Sequence, residues 1–223
     1  MRRFSCGHYP IPGRSPYLRI NAMKLYHAPG TCSRAVHIAL LEASIPVTLE
    51  RVDLRSKRTA SGRDFLEINP LGYVPALELE NGEVILEAPA ILLYVADLAP
   101  AGKLAPADGS LERVKLVSAL SFIASELHKS FSPFFGPVKP EGETRDRALA
   151  RLASRFDEVE RRLSDGRSHL LGEAFTVADC YCFVVAGWTA FIDVDLARWP
   201  HVSAYVARIR ERPSVREAIA RES

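Results

Sequence analysis

MKLYHAPGTCSRAVHIALLEASIPVTLERVDL, residues 23–54, is the stretch that decides the fold class. A short apolar run is followed by a Pro-Gly break, a segment with apolar residues at helical spacing, and a second apolar run. The elements that this pattern predicts are a strand at 24–27, a helix at 33–43 and a strand at 47–54. Because a helix that joins two strands places them parallel in one sheet, the stretch predicts an α/β domain.

The residues that follow predict how this domain is completed. Asn81-Gly82 separates two apolar runs, and this dipeptide favours a hairpin because both residues tolerate positive φ. Pro89 suits the first turn of a helix, where its missing N–H has no cost. The further predicted elements are a short helix at 61–68, strands at 76–80 and 83–86, and a helix at 90–98. The sheet therefore gains an antiparallel pair.

A change of composition separates the second half of the chain. Residues 99–110, APAGKLAPADGS, are rich in Pro, Gly and Ala and predict a linker, after which strand signals vanish. Helical periodicity covers residues 111–131, 143–163, 176–191 and 202–209. Thr176 and Asp179 have the spacing of a helix-capping pair. We therefore expect an α/β domain at 23–104 and an all-helical domain at 110–223.

Composition excludes several classes of function. The 223 residues are 48% hydrophobic and 25% charged, which suffices for a core. A net charge of +2, with acids and bases interspersed, argues against a nucleic-acid partner. The sequence contains no run of about 18 or more apolar residues, so no membrane span is expected. Residues 1–22 carry four arginines and no acid, and we expect a disordered extension or a start codon assigned too early.

The cysteines indicate a reducing compartment. They are Cys6, Cys32, Cys180 and Cys182. Cys180 and Cys182 lie in an apolar, helix-like run and predict buried free thiols. No cysteine or histidine pairs have zinc-site spacing, so no metal is expected. We therefore expect a cytoplasmic location.

Cys32 lies where a tight turn passes into a predicted helix. The first backbone N–H groups of a helix lack partners and the helix dipole adds positive charge, so a thiolate is favoured there. We expect a lowered pKa for Cys32, and the same donors also suit the thiolate of a bound ligand. Ala35 occupies the position of the second thiol in a Cys-x-x-Cys motif, which leaves single-thiol chemistry. The alternative is a cysteine that only fills space.

Two further positions suit a peptide ligand. An extended backbone before Pro75 can pair with a peptide as an added strand, although the residues alone favour a trans Val74–Pro75 bond. Glu87 can bind an ammonium group beside a helix start that binds a carboxylate. The alternative is a glutamate that merely complements the helix dipole.

The helix predicted from residue 111 carries a polar face. Ser121, Ser125 and His128 are spaced by four and three residues and share that face, with Lys129 next to it. This grouping is unusual for a stripe that faces a core. Without further information, a structural histidine remains the alternative.

These motifs together resemble the glutathione S-transferases. The resemblance rests on Cys32-Ser33, the turn ending in Val74–Pro75, Glu87-Ala88 and the linker into a helical half, and it runs from residue 23 to about residue 219. MKLY at 23–26, DLRSKR at 53–58 and SELHK at 125–129 are similar to the bacterial beta class in particular. A thioredoxin-like first domain that binds glutathione and a helical domain that shapes the acceptor pocket are implied.

The resemblance also implies site residues. Those that match glutathione-binding positions are Cys32, Lys57, Val74, Glu87, Ala88, Ser121, Ser125, Glu126 and His128. Cys32, His128 and Lys129 are the implied catalytic residues. Lys57 would hold the glycine carboxylate, Glu87 and Ala88 the γ-glutamyl end, and Val74 the cysteinyl part through a cis Val74–Pro75 bond.

A homodimer is implied as well, because Ser125-Glu126 resembles a pair that reaches glutathione in the neighbouring subunit. Two positions depart from the beta class. Ala88 lacks a hydroxyl common there, and Ser121 replaces a frequent asparagine.

The leading hypothesis is a detoxifying transferase that conjugates the glutathione thiolate to small hydrophobic electrophiles. Glutathione is the co-substrate, and no metal, nucleic acid or membrane is expected. The alternatives are a glutathione-dependent redox enzyme that uses Cys32 and a non-catalytic binding protein on the same fold. Candidates for the acceptor pocket, each equally suited to a core, are Phe131, Phe134, Phe135 and Trp188.

Overall fold

The computed structural model describes residues 23–222. Strand β1 (Met23–His27), helix α1 (Ser33–Glu42) and strand β2 (Val47–Asp53) form the predicted unit. β1 and β2 are parallel, with Leu25 opposite Leu49. The α/β prediction for the opening stretch is therefore confirmed.

Three short strands complete a mixed sheet. They are β3 (Arg58–Thr59), β4 (Ala76–Glu78) and β5 (Val84–Leu86). The order across the sheet is β3-β2-β1-β4-β5, and every pair except β1–β2 is antiparallel. Gly82 has a φ of +84° in the turn between β4 and β5, which glycine adopts without strain. The predicted hairpin is confirmed.

The two faces of the sheet pack against different parts of the chain. Helix α1 and helix α2 (Ala88–Leu98) contact each other and the sheet on one face. A smaller cluster that contains Tyr26, Phe65 and Val74 lies apart from the main core. The Val74 turn is thus packed against the sheet, which fixes the backbone that approaches Cys32.

The second half is helical. Its helices are α3 (Leu111–Phe122), α4 (Ser132–Phe135), α5 (Gly142–Leu163), α6 (Val177–Gly187), α7 (Pro200–Arg210) and α8 (Pro213–Arg221). Thr176 and Asp179 form the predicted capping box at the start of α6. Asp179 also accepts hydrogen bonds from the N–H of Leu170 at 2.7 Å and from the hydroxyl of Tyr205 at 3.0 Å. The start of α6 is therefore tied to two neighbouring segments.

The two halves share one hydrophobic core. Helix α1 packs against α2 on one side and against α6 and α8 of the helical half on the other. Ala35, Val36 and Ile38 are fully buried in that core. Because α1 begins beside Cys32, the packing of the helical half directly constrains the position of this thiol.

Two helices of the second half change their winding at their C-terminal ends. Helix α3 continues as a π-helical segment, Ile123–His128, and α6 continues as a 3₁₀ turn, Trp188–Phe191. Both segments carry side chains of the site described below. Such local changes of winding are frequent at functional sites.

The helix predicted at residues 61–68 is wrong, because only a 3₁₀ turn, Phe65–Glu67, forms there. Thr59 donates a backbone hydrogen bond to the carbonyl of Arg63 at 3.0 Å, and Gly62 has a φ of +88°. This tight turn competes with helix formation. The side chain of Asp64 then caps the short turn by accepting from the N–H of Leu66.

Two other expectations can be compared with the structure. Cys180 and Cys182 are buried free thiols, as predicted. The expectations for residues 1–22 and for Cys6 lie outside the described residues. Within residues 23–222, every helix is too short or too polar to cross a membrane.

Candidate active site

The turn before α1 places Cys32 at the helix start, as predicted. Gly30 has a φ of +73°, which turns the chain sharply between β1 and α1. Thr31 and Ser33 brace the turn, because both hydroxyls donate to the carbonyl of Ala28, at 2.8 Å and 3.2 Å. Cys32 is the N-cap residue of α1. The thiol therefore lies at the N-terminal end of the helix, where the backbone N–H groups of Cys32 and Ser33 act on it.

The expected low pKa of Cys32 is wrong. Burial raises the pKa of this thiol to about 12, and the negative charge of Glu87 adds to the effect. Backbone N–H groups at Cys32 and Ser33 favour the thiolate, but they do not offset the burial. The thiol donates to the carbonyl oxygen of Val74 at 3.3 Å. Cys32 is therefore a protonated hydrogen-bond donor.

The Val74 turn is held from two sides. The Asn69 side-chain amide donates to the carbonyl of Tyr73 at 2.7 Å, and the ammonium of Lys57 donates to the carbonyl of Gly72 at 2.9 Å. The Val74–Pro75 bond is cis, which confirms what the resemblance implies, and the trans bond that the residues alone favour is wrong. The structure thus brings Lys57 to the turn whose Val74 carbonyl faces Cys32.

Glu87 occupies a strained position at the start of α2. Its φ of +68° is in the left-handed region, which costs a non-glycine residue about 1–3 kcal/mol. Ala88, the next residue, is buried in the first turn. The Glu87 carboxylate is exposed, and its charge raises the pKa of both Cys32 and Tyr181. Strain of this kind accumulates at functional sites.

His128 lies at the end of the π-helical segment and turns inward. Its Nδ1 is 2.7 Å from the hydroxyl of Tyr181, and its ring is 4.6 Å from that of Trp188 in an edge-to-face arrangement. Burial and the neighbouring charge of Lys129 lower the pKa of His128 to about 4. The imidazole is therefore neutral at physiological pH.

Tyr181 is a site residue that the sequence reasoning missed. Burial raises the pKa of its hydroxyl, and the negative charge of Glu87 raises it further. Tyr181 is therefore a protonated phenol whose hydroxyl contacts His128. The signal in the sequence was a tyrosine in the apolar segment of α6, since a buried tyrosine hydroxyl needs a partner.

The predicted aromatic residues divide into core and surface. Phe131 and Phe134 are buried, whereas Phe135 is 46% exposed and contacts the ring of Trp188 at 5.5 Å. Trp188 is buried and donates from Nε1 to the carbonyl of Gly30 at 2.8 Å. Phe191, which the sequence reasoning missed, is 65% exposed and lies against the Gly30 turn.

The remaining predicted residues make their contacts within the helical half. The hydroxyls of Ser121 and Ser125 donate to the carbonyls of residues four positions earlier, both at 2.9 Å. Glu126 accepts from Arg155 at 2.7 Å. Lys129 is exposed. Within one chain, the structure does not bring the two serines or Glu126 into contact with Cys32.

Similarity to known protein families agrees with this geometry. The family model for the glutathione S-transferase N-terminal domain matches residues 30–98, and the model for the glutathione S-transferase C-terminal domain matches residues 142–208. Glutathione S-transferase GstA of Escherichia coli is 40% identical, over 90% of this chain and 98% of its own. The chain belongs to the glutathione S-transferase family.

Solved bacterial glutathione S-transferases have the same architecture. The beta-class enzyme of Sphingomonas chungbukensis is 44% identical with a TM-score of 0.85, over 90% of this chain and 98% of its own. A sphingomonad glutathione S-transferase complexed with glutathione is 45% identical with a TM-score of 0.85, over 89% and 98%. The expected fold, a thioredoxin-like domain followed by a helical domain, is that of the glutathione S-transferases.

Metal binding has no structural support among residues 23–222. No group of three or more histidine, cysteine, aspartate or glutamate side chains in that range is arranged to hold an ion.

Proposed function

We propose that a site formed by Cys32, Val74, Glu87 and His128 binds glutathione and that the enzyme conjugates the glutathione thiolate to small hydrophobic electrophiles. One observation carries the proposal. The Trp188 indole donates to the carbonyl of Gly30, in the turn that carries Cys32, at 2.8 Å, and its ring packs edge-to-face against His128 at 4.6 Å. A sulfur at this place meets groups from both domains. The similar sphingomonad enzyme is complexed with glutathione.

Glutathione would lie along the first domain as an extended peptide. The backbone of Val74 pairs with its cysteinyl part, as in strand addition. Glu87 binds the γ-glutamyl ammonium, and the N–H groups at Ala88 bind the adjacent carboxylate. Lys57, already beside the Val74 turn, binds the glycine carboxylate.

Sulfur ionisation is the central chemical step. In this proposal the glutathione thiol releases its proton to solvent, and the thiolate lies at the start of α1, where it accepts hydrogen bonds from the N–H of Ser33 and from the Cys32 thiol. Cys32 then exchanges its bond with Val74 for a bond to the sulfur. The redox alternative is disfavoured, because a thiol with a pKa of about 12 is a poor nucleophile at neutral pH.

His128 contributes as a neutral group. With Tyr181 donating to Nδ1, the ring proton resides on Nε2 and is available to the sulfur or to the leaving group of the electrophile. Lys129 adds positive charge next to this ring. Catalysis then combines a stabilised thiolate with the proximity of two bound reactants.

The acceptor would lie against the helical half. Phe135 and Phe191 are exposed beside Trp188 and the Gly30 turn, so they form an apolar wall near the sulfur position. Residues 23–104 thus hold glutathione, and residues 110–223 shape the acceptor pocket. The free thiols of Cys180 and Cys182 are consistent with the proposed cytoplasmic location.

A homodimer is part of the proposal. Leu111, Val114 and Val117 form a stripe on α3 and are 63%, 62% and 41% exposed. An apolar stripe of this kind suits burial against a second copy. Ser121, Ser125 and Glu126 follow along the same helical run, so dimerisation is the route by which they would reach glutathione of the partner.

Titration of bound glutathione tests the mechanism. Calorimetry first measures binding of glutathione, and ultraviolet absorbance of the complex then follows ionisation of its thiol. We expect the pKa of the bound thiol to lie about two units below its value in water, a difference of about 2.7 kcal/mol. An unshifted thiol would refute the mechanism. A panel of electrophiles, assayed with and without glutathione, identifies the acceptor and excludes a non-catalytic binder.

A further inference from the structure

Glu222 reaches the Gly30 turn from the end of the helical half. Its side chain is 0% exposed. One carboxylate oxygen, Oε2, accepts from the N–H of Gly30 at 3.2 Å and from Nε of Arg34 at 2.8 Å. The residue follows α8, which packs against α1. A buried carboxylate thus holds the backbone two residues before Cys32.

The opposite side of the same residue is held as well. Trp188 donates from Nε1 to the carbonyl of Gly30 at 2.8 Å, and its ring packs edge-to-face against His128. Both backbone polar groups of Gly30 are therefore bound by side chains of the helical half. The Trp188 side chain therefore contacts both the turn that carries Cys32 and the ring of His128.

The charge of Glu222 is retained inside the protein. Burial raises the pKa of this carboxyl, but His37, Arg34 and the N–H of Gly30 outweigh it and hold the pKa below its usual range. Nδ1 of His37 lies 3.6 Å from Oε1. An ionised acceptor forms stronger hydrogen bonds than a neutral one. The bond to Gly30 is therefore a firm restraint.

We propose that Glu222 is a positioning residue whose carboxylate, together with the Trp188 indole, fixes the Gly30 turn so that Cys32 and the Ser33 N–H face the sulfur of glutathione. This inference rests on the proposed function. Glu222 does not touch the substrate. Its effect passes through the backbone of residues 30–33, which a small displacement of Gly30 would move away from His128.

Glu222→Ala, Glu222→Gln and the matched control Glu217→Ala test the proposal. Glu217 is an exposed residue of α8 that pairs with Arg221. Each variant is compared with the wild type by the KM for glutathione, by kcat, by thermal unfolding, and by ultraviolet titration of the bound thiol. Assays are run well below the unfolding transition, so that loss of fold does not contribute.

We expect Glu222→Ala to raise the KM for glutathione and the pKa of the bound thiol, with a loss of kcat/KM of about tenfold, the size expected for one hydrogen bond. Glu222→Gln keeps an oxygen that accepts from Gly30 and should recover most of this loss. The Glu217→Ala control should match the wild type.

A lower unfolding temperature with an unchanged KM and thiol pKa would overturn the proposal and leave Glu222 a purely structural role. If Glu222→Ala does not fold, Glu222→Asp provides the same comparison, because it keeps the charge but withdraws the oxygens by one methylene. Absence of glutathione binding in the wild type itself would instead reject the proposed function, so the two failures are distinguishable.

Discussion

Nδ1 of His128 lies 2.7 Å from the hydroxyl of Tyr181, on helices that the sequence separates by 53 positions. Tyr181 in turn lies within electrostatic reach of Cys32 and Glu87. This phenol thus ties helix α6 to the end of the π-helical segment. Because its raised pKa keeps the tyrosine protonated, it pairs with the imidazole without adding charge.

Removal of this hydroxyl should weaken both stability and catalysis. In Tyr181→Phe the ring remains, but Nδ1 of His128 loses its partner in a partly buried site. We expect the free energy of unfolding to fall by about 0.5–1.5 kcal/mol and kcat/KM to fall by about tenfold. Tyr73→Phe is the matched control, because Tyr73 is exposed. Denaturant unfolding and steady-state kinetics measure the two effects, and equal losses in both variants would contradict the role of Tyr181.

The second prediction concerns the pH dependence of stability that follows from the lowered pKa of His128. Its pKa in the folded protein is about 4, whereas the unfolded value is 6.5. Between these values the unfolded state binds the extra proton, so the free energy of unfolding should fall as the pH drops from 6.5 towards 4. Above pH 6.5 the contribution is fully present.

Chemical denaturation at a series of pH values measures this dependence. The comparison is with His128→Gln, which lacks the titrating group and should show a flatter dependence over the same range. Nuclear magnetic resonance of the imidazole should show no titration of His128 between about pH 5.5 and 8. A midpoint near 6.5 would contradict the burial argument.

Local features of the site could be predicted from the sequence because their partners are close along the chain. The Cys32 helix start, the Asn81-Gly82 hairpin and the capping box of Thr176 with Asp179 each involve residues within four positions. Their conformations follow from turn and cap chemistry that any such stretch carries.

The contacts between the two halves of the chain could not be predicted in this way. Gly30 binds Glu222 and Trp188, which are 192 and 158 positions away. Periodicity assigns such residues to a helix but does not say what they meet. The pKa of Cys32 was mispredicted for the same reason, since the favourable N–H groups are local whereas the burial that outweighs them depends on the folded chain, in which the thiol lies against Val74, 42 positions away.

The third prediction concerns the reactivity of Cys32. A thiol with a pKa of about 12 carries little thiolate at neutral pH. Alkylation of Cys32 by iodoacetamide at pH 7.5 should be at least about a hundredfold slower than alkylation of free cysteine. Peptide mass spectrometry resolves the site, and a Cys6→Ser background removes a thiol outside the described residues. Rapid alkylation of Cys32 would favour the redox alternative.

The same thiol should contribute to conjugation without being essential. Cys32→Ala removes one donor to the glutathione sulfur but leaves the N–H of Ser33. We expect kcat/KM for conjugation to fall by about tenfold, while the affinity for glutathione changes less. Cys182→Ala alters a buried thiol of α6 and controls for general thiol loss. Complete loss of conjugation in Cys32→Ala would show that Cys32 acts as a nucleophile.

Substitutions of Glu87 distinguish the effect of its strained backbone on stability from the effect of its charge on glutathione binding. Its φ of +68° suits glycine, so Glu87→Gly should relieve strain and raise the free energy of unfolding by about 1 kcal/mol. The same change removes the carboxylate that we assign to the γ-glutamyl ammonium, so the affinity for glutathione should fall by about a hundredfold. Glu87→Gln keeps the strained backbone and should lose affinity without gaining stability. Denaturant unfolding and calorimetry of the two variants measure both quantities. If the Glu87→Gly protein is more stable and still binds glutathione with normal affinity, the Glu87 carboxylate does not bind the ligand. The strained backbone at this position would then serve no role in binding.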